Sequence, residues 1–191
     1  MNKVGVMYVL MRADALERVR RYSFLVTMGG AVYLGYAAIA GYVQMHVGGY
    51  RGVYNSAWIG TLVALTTTMF ASIVGFYVVK NTIERDRQTG VGQILAGTPI
   101  SKFSYVLGKV FSNFVVLASI VIVQAIAALV MQFMKGEDPS VNLWVLFAPF
   151  VFIAFPAMAI TASLAVLFES VRWLRGGLGN ILYFFLWNPY V

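Results

Sequence analysis

Four stretches of this chain run without a single Asp, Glu, Lys or Arg for long enough to cross a membrane: 22–45, 57–79, 110–134 and 143–168. A hydrocarbon core takes about 20 residues of helix. Of the 191 residues, 60% are hydrophobic and only 11% are charged. A soluble domain is nearer half apolar and about a quarter charged, so a soluble protein with this composition would aggregate. The expected fold class is therefore all-α: a polytopic helical membrane bundle in one transmembrane domain over 1–191. It comprises an interfacial N-terminal helix (1–21), the four full transmembrane helices and a partial fifth. The fifth run, 177–191, has about 15 residues, too few for an ordinary span. We expect either a re-entrant or interfacial segment there, or an N-terminal fragment of a longer protein.

The charges that remain are sorted along the chain. Lys3, Arg12, Arg18, Arg20 and Arg21 precede the first span. Lys80, Arg85, Arg87, Lys102 and Lys109 lie in the 80–109 loop, and Arg172 and Arg175 in the 169–176 loop. Of the 14 basic residues only Arg51 and Lys135 fall on the other side, where Glu137 and Asp138 balance them. The net charge of +7 is thus a topology signal. By the positive-inside rule it predicts a multi-pass protein of the plasma (cell inner) membrane with a cytoplasmic N-terminus. It also suits anionic lipid as a partner. No nucleic-acid module accompanies the charge, so nucleic acid is not an expected partner. Arg20 and Arg21 ahead of an apolar run look like a twin-arginine signal. The run is of spanning length and has no clean small-residue cleavage site, so it reads as a retained first span. Within 3–21, Asp14, Glu17, Arg18 and Arg21 share one helical face. Arg12 falls opposite, where it can snorkel to headgroups.

Several chemistries lose their residues. Without Cys there are no disulfides, thiolate metal sites or cysteine nucleophiles. The lone histidine, His46, cannot build a multi-histidine metal site. Asp14, Asp86 and Asp138 lie outside the spans, which disfavours an intramembrane aspartyl protease. The spans also lack the deep ionisable group that ion-coupled transporters keep. We expect no catalytic residue, no cofactor and no metal. Gln124, deep in the third span, is expected to make an interhelical hydrogen bond worth about 1 kcal/mol. Gly60, Ala64, Thr68 and Ser72 recur at i+4 in the second span, a small-residue stripe for helix packing inside the bundle. Ala157, Thr161 and Ala165 make a shorter version in the fourth. Pro149 and Pro156 are seven residues apart there, and each removes a hydrogen bond and can kink the helix.

The 80–109 segment is the one long polar interruption. Glu84, Arg85, Asp86 and Arg87 are expected to continue the second span by about a turn. Gly90 and Gly92 then break it. Gln93, Ile94, Leu95 and Ala96 form a short turn ended by Gly97. Thr98 and Pro99 are a helix-start signal. A helix from Pro99 to Met134 exceeds the membrane thickness, so its first part should lie along the interface or bend, with Gly108 as the bend point. The stretch from Gly92 to Thr98 superficially matches a phosphate loop. Thr98 stands where the lysine belongs, so nucleotide binding is rejected.

With those residues in place, 84–109 resembles the cytoplasmic loop of ABC-2 type transporter permeases, the membrane subunits of ATP-binding-cassette transporters. The matching positions are Gly90, Leu95, Thr98, Pro99, Ile100, Ser101, Lys102, Gly108 and Lys109. The end of the fourth span, Ser163 to Phe168, and the basic N-terminus also resemble the family. Val91, Gly92, Gln88 and Gln93 depart from its pattern. The resemblance implies a permease that couples ATP hydrolysis by a separate ATPase subunit to movement of a substrate. It implies pairing with a second permease half, as a homo- or heterodimer. The ATPase contact would be a coupling loop of Glu84, Arg85, Asp86, Arg87, Gly90, Gly92, Gln93, Ile94 and Leu95. The family usually has six spans per half, which makes this chain an N-terminal fragment in expectation. The alternative is a non-transport membrane scaffold or accessory subunit.

Overall fold

In an apolar solvent the backbone must satisfy its own hydrogen bonds, and an uncharged run does so by forming a helix. The computed structural model describes residues 3–42, 46, 47, 50–90, 92 and 101–187. Among them the order is α1 (Lys3–Val19), α2 (Tyr22–Ile39), β1 (His46–Val47), β2 (Tyr50–Arg51), α3 (Ser56–Val79) and α4 (Thr82–Gln88). Then follow α5 (Lys102–Lys135), α6 (Leu143–Pro149), a π-helical segment (Phe150–Ala154), α7 (Phe155–Ser170) and α8 (Gly177–Trp187). The two short strands pair antiparallel, His46 opposite Arg51. Among the described residues four helices are long and apolar enough to cross a membrane. The protein is a predominantly helical, membrane-embedded bundle.

The ends of these helices follow local chemistry. The first span was expected to run to 45, but α2 closes at Ile39. Gly41 takes φ +88, and the Tyr42 and Gly41 N–H groups donate back to the Ala37 and Ala38 carbonyls. That is a Schellman closure, which needs a left-handed residue and finds glycine. Asn55 starts α3, its side chain accepting from Trp58 N–H at 2.9 Å. Asn142 starts α6 in the same way through Val145 N–H at 3.1 Å.

One expectation about helix continuity is corrected. The segment 84–87 does not prolong α3. The chain breaks at Lys80 and Asn81, and Asn81 adopts φ 70 before α4 begins. Gly108 lies within α5, which is helical over 34 residues, about 51 Å at 1.5 Å per residue. Thr98 and Pro99 lie outside the described residues. The prolines of the fourth span are accommodated by a widened turn. Pro149 ends α6 and the π segment follows at once, ahead of Pro156. A π turn shifts hydrogen bonding by one residue, which relieves the missing donor and the ring's clash.

The chain divides into two compact units. One comprises Leu25–Ser72 and Ala118–Met158. Its core holds Ile59, Val63, Ile120, Leu146, Phe150 and Met158. Glu137 N–H donates to the Tyr54 carbonyl at 2.8 Å, and Tyr54 N–H to the Glu137 carboxylate at 3.0 Å. The small-residue stripe lies in this unit. At Gly60 a Cβ would stand 2.3 Å from the Leu146 carbonyl oxygen. Ala64 and Ser72 are buried, and Thr68 donates to the Ala64 carbonyl at 2.7 Å. Gln124 is fully buried, its carbonyl end turned to Gly35 of α2. Its amide makes no hydrogen bond among the described residues, so the expected interhelical bond is not formed.

The other unit comprises Met1–Phe24, Ile73–Leu117 and Ala159–Val191. Its core is aromatic. Phe76 stacks on Tyr183 with centroids 3.6 Å apart, and Phe168 meets both rings edge-on. This is how α8, although short, is held to α3 and α7.

These contacts separate two glycines. Replacing Gly60 by alanine should lower stability by about 1–3 kcal/mol, because the methyl meets backbone. Gly29 has open space around it, so Gly29→Ala should raise stability by about 0.5–1 kcal/mol through helix propensity. Unfolding titrations in detergent distinguish them, and equal stabilities would refute the close packing of α3 on α6.

Candidate functional site

A seven-residue helix between two spans has too few internal hydrogen bonds to hold itself. The second unit supplies the rest of what α4 needs. At its N-terminus stand the free amides of the first turn. The Glu169 carboxylate, fully buried at the end of α7, accepts from them. One oxygen takes Thr82 N–H at 3.0 Å and the Thr82 hydroxyl at 3.1 Å. The other takes Ile83 N–H at 2.6 Å. A carboxylate here also meets the positive end of the helix dipole. Nearby, Lys80 donates to the Asn180 side chain at 2.5 Å, Tyr77 to the Asn180 carbonyl at 3.0 Å, and Arg175 to the Glu169 carbonyl at 2.9 Å. The break at Asn81 thus has a tertiary cause: Glu169 replaces the hydrogen bonds that helix continuation would have made.

The inner side of α4 carries Arg85 and Asp86, and both meet groups of opposite charge. Asp86 pairs with Lys109 of α5 at 2.7 Å and accepts from the Tyr105 hydroxyl at 2.7 Å. Lys109 reaches on to Asp14 of α1 at 2.5 Å. Asp14 also binds Arg85 of α4 at 3.0 Å, and Arg85 binds Glu17 at 2.7 Å. Glu17 closes the row with Arg21 at 2.8 Å. Arg18 donates to the Asn113 side chain. The signs alternate through α1, α4 and α5, as groups taken out of water require. Burial pulls the Arg18 guanidinium below its ordinary value, down to about 10, with Asp14 opposing, so it stays cationic at neutral pH. The bond from Arg21, with Arg85 beside it, holds Glu17 below its ordinary 4.5. That contribution is present above the ordinary value and is lost as pH falls through the lowered one.

The coupling-loop residues therefore divide. Asp86 and Arg85 turn inward, the Asp86 side chain only 6% exposed. Glu84 and Arg87 turn outward at 37% and 55%, with a 4.0 Å separation. Gly90 sits at φ +75 just beyond the end of α4, a conformation that glycine adopts at no steric cost. Gly92 is half-buried. Gln93, Ile94 and Leu95 lie outside the described residues. The buried partners Lys109, Asn113 and Glu169 were missed as site residues: Lys109 was read as loop charge and as a position matching the family loop, Glu169 as flanking charge, and Asn113 was not singled out. The available signal was their position: each lies in or at the end of an apolar run. Among the described residues no group of three His, Asp or Glu comes together to hold a metal. The carboxylates of this cluster are engaged by cations and amides, an arrangement that holds α4 in place.

No family model, curated protein or solved structure matches this chain.

Two substitutions test the two anchors. Lys109→Met leaves Asp86 and Asp14 without their shared cation and should cost about 3–5 kcal/mol. Adding Asp86→Asn should recover part of it, and additive effects in a double-mutant cycle would refute the pairing. Glu169→Ala should speed hydrogen exchange of the Thr82 and Ile83 amides by about tenfold or more, since bonds to a charged group are lost.

Proposed function

We propose that this chain is the membrane subunit of an ATP-driven transporter of the ABC-2 permease type, with α4 as the element that receives a separate ATPase subunit. The observation that carries this reading is the division of α4. Its outer side presents Glu84 and Arg87, while its inner side is tied by ion pairs to α1 and α5 and its N-terminus to α7. A push on such a helix is passed on to three others, because buried ion pairs resist separation. Glu84 and Arg87 would steer the partner, and Ile94 and Leu95 would supply its apolar contact. The resemblance of 84–109 to the family loop supports the same assignment. The distribution of Lys and Arg supports a cytoplasmic N-terminus in the cell inner membrane. A second permease half would complete the transporter.

The test is co-expression with an ATP-binding-cassette ATPase. The full chain should co-purify with the ATPase and stimulate its hydrolysis. Ile94→Asp with Leu95→Asp should leave membrane insertion intact and abolish that stimulation. Charge reversal at Glu84 and Arg87 should slow association and weaken its salt dependence, since exposed charges act mainly on encounter. Unchanged hydrolysis in the Ile94 and Leu95 variant would overturn the role given to this loop.

A further inference from the structure

Two glutamines stand on α5 within the unit of Leu25–Ser72 and Ala118–Met158. Gln124, Ala128 and Gln132 follow one another at i+4 steps, so they share a helical face. All three are buried. Neither glutamine finds a hydrogen-bond partner for its side-chain oxygen or nitrogen among the described residues. Which end of each amide is which does not matter, since both ends lack a partner. Helix α3 adds the Thr67 hydroxyl and the Trp58 indole N–H, both buried and also unpartnered among the described residues. These groups fall at two depths. Reciprocal hydrogen bonds between Tyr54 and Glu137 clasp one end of α3 to one end of α5. Thr67 and Gln124 lie equally far from that clasp, about 16 Å in from Ser56 and Lys135 at 1.5 Å per residue. Trp58 and Gln132 lie within a turn of the same two helix ends. Gly35 of α2 meets the deeper level. A Cβ there would stand 3.1 Å from Gln124 Oε1 and 3.4 Å from Val63 Cγ1, and Thr67 is one turn along from Val63 on the same face of α3.

We infer that Gln124 with Thr67, and Gln132 with Trp58, form a two-step binding site for small uncharged hydrogen-bonding groups, either water or the hydroxyls of a neutral solute. An amide beside a hydroxyl offers donors and acceptors at one depth, which suits a group that both donates and accepts. Hydrocarbon supplies neither, and a buried polar end left alone is costly. Water or a solute hydroxyl removes that cost by bridging the groups. The class of ligand follows from charge. No Asp, Glu, Lys or Arg occurs in 57–79 or 110–134, so an ion bound between these stretches would lack a counter-ion. Polar side chains held at such depth in a helical bundle mark the paths of permeating groups. The inference does not rest on the ATPase docking given to α4, because every residue it uses belongs to the other unit.

The test uses the full, unsubstituted chain, labelled with nitrogen-15 and reconstituted in phosphatidylcholine liposomes. Solid-state NMR reads the transfer of proton magnetisation from water to the Gln124 and Gln132 side-chain amides. Build-up there should be severalfold faster than at the backbone amides of Ile120 and Ala128, which are buried on the same helix. Glycerol is then titrated in as a neutral polyol. A saturable shift of the Gln124 amide, absent at Ala128, assigns the site to solute hydroxyls. Fast transfer without that shift assigns it to water, and either result supports the inference. Thr67→Val, which exchanges the hydroxyl for a methyl, should weaken the Gln124 response severalfold and leave Gln132 unchanged. Transfer to Gln124 no faster than to Ile120 and Ala128, with no glycerol response, would overturn the inference. So would a Thr67→Val protein in which Gln124 behaves as in the unsubstituted chain. Slow transfer at Gln132 alone would overturn the shallower step.

Discussion

The pair between Asp86 and Lys109 is the contact on which the described unit around α4 depends. Both side chains are nearly removed from solvent, and an isolated ion in that position would be severely destabilising. Lys109 therefore recruits a second carboxylate, Asp14, 95 residues away in sequence. Asp14 in turn needs Arg85, and Arg85 reaches Glu17. Each charge buried to satisfy its neighbour calls for another, until the row ends at the half-exposed pair of Glu17 and Arg21. Three helices are fixed relative to one another as a consequence.

The same requirement shapes α1. Its charged stripe is drawn inward by the network, so its apolar residues face out. Arg12, which spoils the amphipathic pattern when the charged side is assumed to be wet, lies on that outward side. One arrangement of charges thus accounts for the inner contacts of α1 and for its outer surface. It also leaves α4 with one committed side and one available side, which is the physical content of the proposed docking role.

Much of the fold was legible in the sequence. Run length and the absence of charge marked the spans, because hydrocarbon excludes ions and demands internal hydrogen bonding. Gly41 and Gly90, both at positive φ, also carry a local signal, though only the second was used as a stop. The break at Asn81 was not legible. Four residues of alternating charge look like helix continuation, and what interrupts them is a carboxylate 87 residues away. For the site, Glu84, Arg85, Asp86 and Arg87 were found by their polarity. Their inward and outward division depends on which helices pack beside them, and that information is not in the local pattern.

The sequence by itself determined that this is a helical membrane protein, how many long apolar helices it has, and where its charges are concentrated. Those properties depend on hydropathy and length, which are sums over neighbouring residues. Only the tertiary structure decided that Asp86 and Lys109 are buried partners, that Glu169 caps α4, and that Gln124 lies against Gly35 without a hydrogen bond. It also decided that α1 turns its charges inward. These properties depend on which side chains meet across large sequence separations. A buried charge is stable only beside its counter-ion, and only the folded chain specifies who that neighbour is.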